Sequence, residues 1–233
     1  DEERVVDPGW VLRDGTGRLV AENEGWMTNG EMIATFDRVG AFRLNSGSRD
    51  AAVLVALAPG AYTAQVTSNG NGITLVEVYD ASTGVQLETE QLVNISTRGF
   101  VDTDDGVLVA GFVVTGTNPK RVLIRGIGPG LTAFGVPNVV ADPILKLYAS
   151  PNSATPIAQN DNWGTPQPVN GGATPATAAE LTAAASATGA FPLASGSKDA
   201  AIVVTLNPGN YSAVISGAGN TTGAGLVEVY EIP

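Results

Sequence analysis

An all-β fold of repeated sandwich-like units is what this sequence predicts, and three observations carry it: many short apolar runs, many turn residues between them, and an internal repeat. Of 233 residues, 43% are hydrophobic and only 15% charged, while 29 glycines and 14 prolines interrupt the chain at short intervals. That mixture suits short strands joined by turns rather than long charged helices. The length is enough for one large or two modest domains with a sizeable core.

The repeat sets the organisation. Phe42–Val66 aligns without a gap on Phe191–Ile215, with 14 of 25 positions identical, among them Ser-Gly-Ser-x-Asp-Ala-Ala and Pro-Gly-x-Tyr. Leu75-Val-Glu-Val-Tyr79 then matches Leu226-Val-Glu-Val-Tyr230, and upstream Asp7-Pro8, Asn23 and Trp26 match Asp142-Pro143, Asn160 and Trp163. Residues from about 94 to 141 precede the second copy only. The expected division is a truncated copy over residues 1–80, a linker or first strand over 81–93, and a complete unit over 94–233.

Taken along the chain, Glu31–Val39 carries Met32, Ile33 and Phe36 at helical spacing, which predicts a short helical crossover in the first copy. Val107–Val114 and Ala200–Leu206 are nearly continuous apolar runs, the pattern of central strands covered on both faces. Arg121-Val-Leu-Ile-Arg125 alternates, predicting a half-buried strand with Val122 and Ile124 inward and both arginines outward. Thr177–Ala187 is rich in alanine and follows Thr174-Pro175, so the second copy is expected to have its own short helix. Pro59-Gly60 and Pro208-Gly209 predict a hairpin in each copy. The strands after them alternate so that Tyr62 and Tyr211 fall in the core. Asp50 and Asp199 share a Ser-Gly-Ser-(Arg/Lys)-Asp turn and are expected to accept backbone N–H bonds that hold it. Trp26 and Trp163, at equivalent positions, are expected to be core or rim plugs.

The segments Leu92–Gly99, Gly111–Gly116, Val122–Pro129, Asn160–Trp163, Gly196–Ala201, Pro208–Tyr211 and Leu226–Tyr230 together resemble repeat modules of large secreted bacterial surface proteins. The order Leu-x-Leu-Tyr, Asn-Asp-Asn, Pro-Gly-x-Tyr and Val-Glu-Val-Tyr is also similar to bacterial pre-peptidase C-terminal domains. The resemblance implies jelly-roll-like β-sandwich units in an exported, non-catalytic module. The first copy departs from it by lacking the Leu-Val-Asn-Ile-Ser-Thr-Arg and Arg-Gly-Ile-Gly-Pro strands.

Composition narrows the chemistry. There is no His and no Cys, which removes the usual general base, thiolate nucleophile and nitrogen or sulfur metal ligands. A Ser-Lys pairing could be read from Ser195-Gly-Ser-Lys198, but the first copy has Arg49 in place of the lysine, and a guanidinium does not serve as a base. Gly126-Ile-Gly-Pro-Gly130 lacks the Gly-Lys-Ser/Thr ending of a phosphate loop, and Pro129 removes a backbone donor, so a tight turn is expected there. No enzyme activity and no cofactor are expected. Asn160, Asp161 and Asn162, together with Asp102, Asp104 and Asp105, are the candidate oxygen ligands for Ca²⁺; the competing reading is solvated turns. The sequons at Asn94, Asn210 and Asn220 match what a chain rich in Asn, Ser and Thr produces by accident.

A net charge of −11 disfavours nucleic acid and anionic membranes as partners. No apolar run approaches the roughly 20 residues of a membrane helix. The opening at Asp1 without Met suggests a processed or excerpted polypeptide, and the absence of Cys with only three Lys fits an extracellular or bacterial cell-surface protein. The missing strands of the first copy predict a homo-oligomer, a head-to-tail polymer in which a neighbour completes that copy by strand addition. The alternative is a carbohydrate-binding or adhesion module that takes polysaccharide on Trp163, Tyr148 or Trp10.

Overall fold

The computed structural model describes residues 8–68, 70, 72–82, 92–149, 153–167 and 174–233; Asp7 and residues 83–91 of the expected linker lie outside this set. The chain forms two compact units, Asp1–Leu92 and Val93–Pro233. The architecture is all-β, in antiparallel sheets with few helices.

In the first unit, β1 (Gly9–Asp14), β2 (Leu19–Asn23) and β3 (Tyr62–Thr67) form a sheet of order β2-β1-β3, and α1 spans Gly30–Val39. The helix starts where Asn29 accepts a hydrogen bond from the Met32 amide at 2.8 Å, the side-chain substitution for a missing intrahelical partner that makes Asn a good cap. It stops at Gly40, whose φ of 76° is open to glycine.

The second unit is a complete sandwich. Its strands are β4 (Asn94–Val101), β5 (Leu108–Val114), β6 (Lys120–Ile127), β7 (Pro143–Ala149), β8 (Ala158–Asn160), β9 (Ala200–Leu206), β10 (Gly209–Gly217) and β11 (Gly223–Glu231), with α2 over Ala178–Thr188. One sheet has the order β5-β10-β7-β8 and the other β4-β11-β6-β9. Val101, Ile124, Leu145, Ile215 and Val227, each fully buried, meet between the sheets. A second apolar cluster joins Leu181, Ala184 and Ala185 of α2 to Leu123, Ala201 and Tyr230 on the outer face of the β6 sheet. α2 begins in a reciprocal capping box between Thr177 and Glu180.

The three strands of the first unit reproduce part of the second in register. Gly9 pairs with Thr67 and Asp14 with Tyr62, as Ile144 pairs with Ser216 and Ala149 with Tyr211. Trp10 opposite Asn23 repeats Leu145 opposite Asn160. Thus β2-β1-β3 is the counterpart of β8-β7-β10.

Four expectations need correction. β6 is not half-buried: Arg125 is 1% exposed, because β6 lies between β11 and β9 and its outer face is covered by the α2 cluster. β5 is an edge strand rather than a central one, and Val109 and Val113 on its outer face are exposed. β9 is covered on both faces over its first half, yet it too is an edge, paired with β6. Pro208-Gly209 does not close a hairpin: β9 and β10 belong to opposite sheets, since β10 is already paired along both edges by β5 and β7. The turn therefore carries the chain across the sandwich.

Candidate interaction site on the first unit

In the second unit β6 is held by two recognition points. The first is electrostatic. Arg125 and Glu228 lie opposite one another across β6 and β11, on the face that α2 covers. Arg125 donates to Glu228 Oε2 from Nε at 2.7 Å and from Nη2 at 2.5 Å, and from Nη1 to the Phe191 carbonyl at 2.5 Å. Its guanidinium lies 4.3 Å from the centroid of the Phe191 ring and 5.8 Å from that of Tyr230. Tyr230 donates its hydroxyl to Glu228 Oε1 at 2.8 Å. Burial, reinforced by the glutamate's negative charge, pushes that phenol up to about 12. A buried ion pair is tolerated only when its polar atoms find partners, and here each guanidinium nitrogen and each carboxylate oxygen has one.

The second point is the loop after β6. The Gly128 and Gly130 amides donate to Asp199 Oδ1 at 2.9 and 3.0 Å, and Ser197 Oγ donates to Oδ2 at 2.7 Å. Asp199 is fully buried. Pro129, which has no amide hydrogen, sits between the two donors. A side chain on Gly130 would place its Cβ 3.2 Å from Asp199 Oδ2, so the close approach asks for glycine. Asp199 does accept backbone N–H bonds, but from a loop about 70 residues away rather than from its own turn.

The first unit contains the sequence counterparts of the groups that meet β6 at both points. By the repeat, Glu77, Tyr79, Phe42 and Asp50 correspond to Glu228, Tyr230, Phe191 and Asp199. Tyr79 donates to Glu77 Oε1 at 3.0 Å, as Tyr230 does to Glu228, and burial with this bond raises its pKa. The Ser-Gly-Ser-x-Asp corner is also reproduced. The Trp26 amide donates to the Asp50 carbonyl at 2.7 Å, and the Trp163 amide to the Asp199 carbonyl at 2.8 Å. The indole Nε1 of Trp26 donates to the Asn45 carbonyl and Ser48 Oγ, as that of Trp163 donates to the Ala194 carbonyl and Ser197 Oγ. Tyr62 and Tyr211 both donate to a carbonyl four residues back at 2.8 Å. Tyr211 is buried and Tyr62 half-buried.

The difference lies in what surrounds these groups. Ala51–Leu57 and Leu75–Tyr79, counterparts of β9 and β11, belong to no strand. Leu57 is 44% exposed where Leu206 is 3%, Val76 44% where Val227 is 0%, and Tyr79 41% where Tyr230 is 8%. Phe42 and Asp50 are exposed. The Asp50 carboxylate has no hydrogen-bond donor among the described residues.

The other candidate residues are placed as follows. Asn160 is buried with both ends of its amide committed, Nδ2 to the Thr165 carbonyl and Oδ1 to the Ala201 amide, each at 3.1 Å. Asp161 and Asn162 are half-buried. Asp102, Asp104 and Asp105 are exposed in a turn where Asp102 Oδ1 accepts the Thr103 amide and Asp104 has a φ of 54°. Among the described residues no three acidic groups converge as a metal-binding cluster. Lys198 pairs with Asp142 rather than with a serine. That bond and charge, with Asp161 adding to them, raise its pKa, which keeps the amine protonated at neutral pH and so withholds the free base. Trp163 and Tyr148 are half-buried, as is Trp10, and a shallow hollow of about 350 Å³ beside Trp163 is lined by Asn162, Gly164, Thr165 and Ser195.

No protein-family model matches the chain, and no curated protein matches it. Among solved structures, the pre-peptidase C-terminal domain of collagenase from Bacillus anthracis is similar at 14% identity and a TM-score of 0.34, over 59% of this chain and 89% of that one.

The recognition points were hidden from sequence reading for a physical reason. Arg125 was assigned to the solvent face because alternation alone does not show that a helix covers it. A signal was present: Glu77 and Glu228 each stand inside a Val-Glu-Val-Tyr sequence, and a charge kept within an apolar stretch asks for a buried partner.

Proposed function

We propose that this chain is a non-catalytic structural subunit of an extracellular or cell-surface assembly, in which the first unit is completed by β-strand addition from a neighbouring polypeptide. The observation that carries this reading is the exposure of Leu54, Val55, Leu57 and Leu75–Tyr79, whose repeat counterparts belong to strands of a finished sheet. Apolar strand-forming segments left without partners are a template for another chain. Main-chain hydrogen bonds supply the affinity and side-chain pockets the specificity. Because donor and acceptor surfaces differ, the contact propagates into an open fibre unless its rotation closes a ring. The extracellular setting is supported by the acidic composition and the absence of Cys. Among the described residues no helix is long and apolar enough to cross a membrane.

Light scattering and electron microscopy test the reading. Species above 23.7 kDa that grow with concentration, seen as filaments or sheets, are expected. A stable monomer of 23.7 kDa whose first unit resists protease would overturn it.

A further inference from the structure

We propose that β5 is a self-association edge. Two copies of this chain pair β5 with β5, antiparallel about a twofold axis through Gly111, so that their β5-β10-β7-β8 sheets join into one. The surface lies on the complete second unit and does not depend on how the first unit is finished.

The two sheets of the second unit end in β5, β8, β4 and β9, and three of these edges are protected. β8 is only three residues long. β4 bears the exposed Arg98, a charge that discourages a further strand. On β9 the Ala201 amide donates to Asn160 Oδ1 at 3.1 Å, and Pro166, Pro175 and Ala176 line the cleft beside Ala201–Val203. β5 has no such device. Leu108-Val-Ala-Gly-Phe-Val-Val114 is seven residues without charge, proline or register break, paired with β10 along one side and with no described strand along the other. Val109 and Val113 stand exposed on its outer face. Leu108, Ala110 and Phe112 are half-buried on its inner face, with the Phe112 ring stacked on Tyr211 at 5.6 Å. A long, uncharged apolar edge is a template for another strand.

The strand's own sequence selects a second copy as that partner. A twofold axis normal to a sheet sets one residue opposite itself, and centring it on Gly111 overlaps all seven residues. Leu108 then faces Val114, Val109 faces Val113 and Ala110 faces Phe112, apolar against apolar throughout and small against large on the inner face. At the axis stands an exposed glycine, the residue that lets two backbones approach closely. Charge agrees with the antiparallel sense. Each chain carries −11, which opposes association in general, and the acidic turn Asp102–Asp105 adjoins the Leu108 end of β5, whereas residues 115–119 beyond Val114 hold no acid. Antiparallel pairing sets each acidic turn beside the uncharged end of the other copy. Six steps of about 3.4 Å hold the two turns roughly 20 Å apart, beyond the about 8 Å over which charges act at physiological salt. The contact uses the same surface on both copies, so it closes at two, unlike a head-to-tail contact.

Sedimentation velocity of the full chain, over a range of protein and salt concentrations, tests this. A monomer–dimer step is expected, and it should strengthen as salt rises, because salt screens the repulsion between two acidic chains and leaves the apolar pairing in place. Gly111→Lys sets two ammonium groups face to face on the axis and should weaken the step tenfold or more. A Cβ at Gly111 meets nothing nearer than the Tyr211 carbonyl oxygen at 4.0 Å, so the monomer has room for it. Gln159→Lys, at an exposed position on the opposite edge of the same sheet, should leave the step unchanged. Because the chain has no Cys, register can be trapped. Gly111→Cys should crosslink to itself on mild oxidation, since facing residues of antiparallel strands stand about 4.5–5.5 Å apart, within disulfide reach. Val109→Cys alone should not, because it faces Val113 of the second copy, whereas a mixture of Val109→Cys and Val113→Cys should. A monomer at every concentration, which is also the outcome if the edge serves a different polypeptide, would overturn the proposal. So would a dimer indifferent to Gly111→Lys, or equal crosslinking by Gly111→Cys and Val109→Cys. Should Gly111→Lys fail to fold, the crosslinking pattern decides. A species that stops at two copies and falls to monomer with Gly111→Lys sustains β5 pairing while the open-assembly reading fails. Larger species that Gly111→Lys leaves unchanged refute β5 pairing and leave assembly standing.

Discussion

The two units carry nearly the same sequence at the strands that flank β6, and they do different things with it. Ala200–Leu206 forms an edge strand whose Ile202 and Leu206 enter the core, while Ala51–Leu57 stays outside any sheet with Leu54, Val55 and Leu57 exposed. The side chains that close the second unit, Glu228, Tyr230 and Asp199, have counterparts in Glu77, Tyr79 and Asp50; the Tyr79–Glu77 bond and the Trp26 amide bond to the Asp50 carbonyl are kept, but the burial is not. The difference teaches that high strand propensity and correct alternation do not make a strand. A strand needs a neighbour to take its amides and carbonyls, and in the second unit that neighbour is β6.

The comparison predicts unequal costs for equal substitutions. The largest is expected at the ion pair: Arg125→Ala leaves Glu228 buried without its partner and should cost about 3–5 kcal/mol. Glu77→Gln, at an exposed position, should stay within about 0.5 kcal/mol. Denaturant unfolding with hydrogen exchange resolved by unit would separate the two, and similar losses in both units would break the comparison.

A smaller effect is expected at the apolar edge. Leu206→Ala should cost about 2–5 kcal/mol because it opens a cavity in the sandwich core. Leu57→Ala should change stability by no more than about 0.5 kcal/mol. Equal shifts in the two unfolding midpoints would show that Leu57 is already in a core.

The smallest concerns the loop. Asp199→Ala leaves the Gly128 and Gly130 amides without their acceptor and should cost about 1–3 kcal/mol. Asp50→Ala should be close to neutral, as no donor to its carboxylate is found among the described residues. An Asp50→Ala loss as large as that of Asp199→Ala would mean that its carboxylate is already engaged.

Much of this was legible in advance where the signal is local. The apolar spacing of Glu31–Val39 and the alanine content of Thr177–Ala187 placed helices close to the observed Gly30–Val39 and Ala178–Thr188, because both signals lie within the segment itself. The alternation of Tyr211, Ala213 and Ile215 named the buried face of β10 because side-chain direction follows from the pleat. The repeat gave the equivalence of Trp26 with Trp163 and of Asp50 with Asp199; the bonds of the two indoles coincide, as do those from the two tryptophan amides to the aspartate carbonyls. The interaction site was legible only in part: the repeat paired Glu77, Tyr79 and Asp50 with Glu228, Tyr230 and Asp199, but the partners that the latter find across the sheet could not be named.

By itself, then, the sequence determined the all-β class, the presence of the two helices, the face β10 buries and the correspondence between the copies. All of these depend on residues within a turn or a pleat of each other, or on identity between two aligned stretches. Tertiary structure alone decided that β5 and β9 are edges, that Pro208-Gly209 crosses between sheets instead of closing a hairpin, that Arg125 is buried, and that Asp199 serves a loop distant in sequence. Strand hydrogen bonds and ion pairs are satisfied by whatever lies alongside in space. A periodic pattern shows which face is apolar and says nothing of which neighbour covers it, and so near-identical sequence became a buried strand beside β6 and an exposed segment without it.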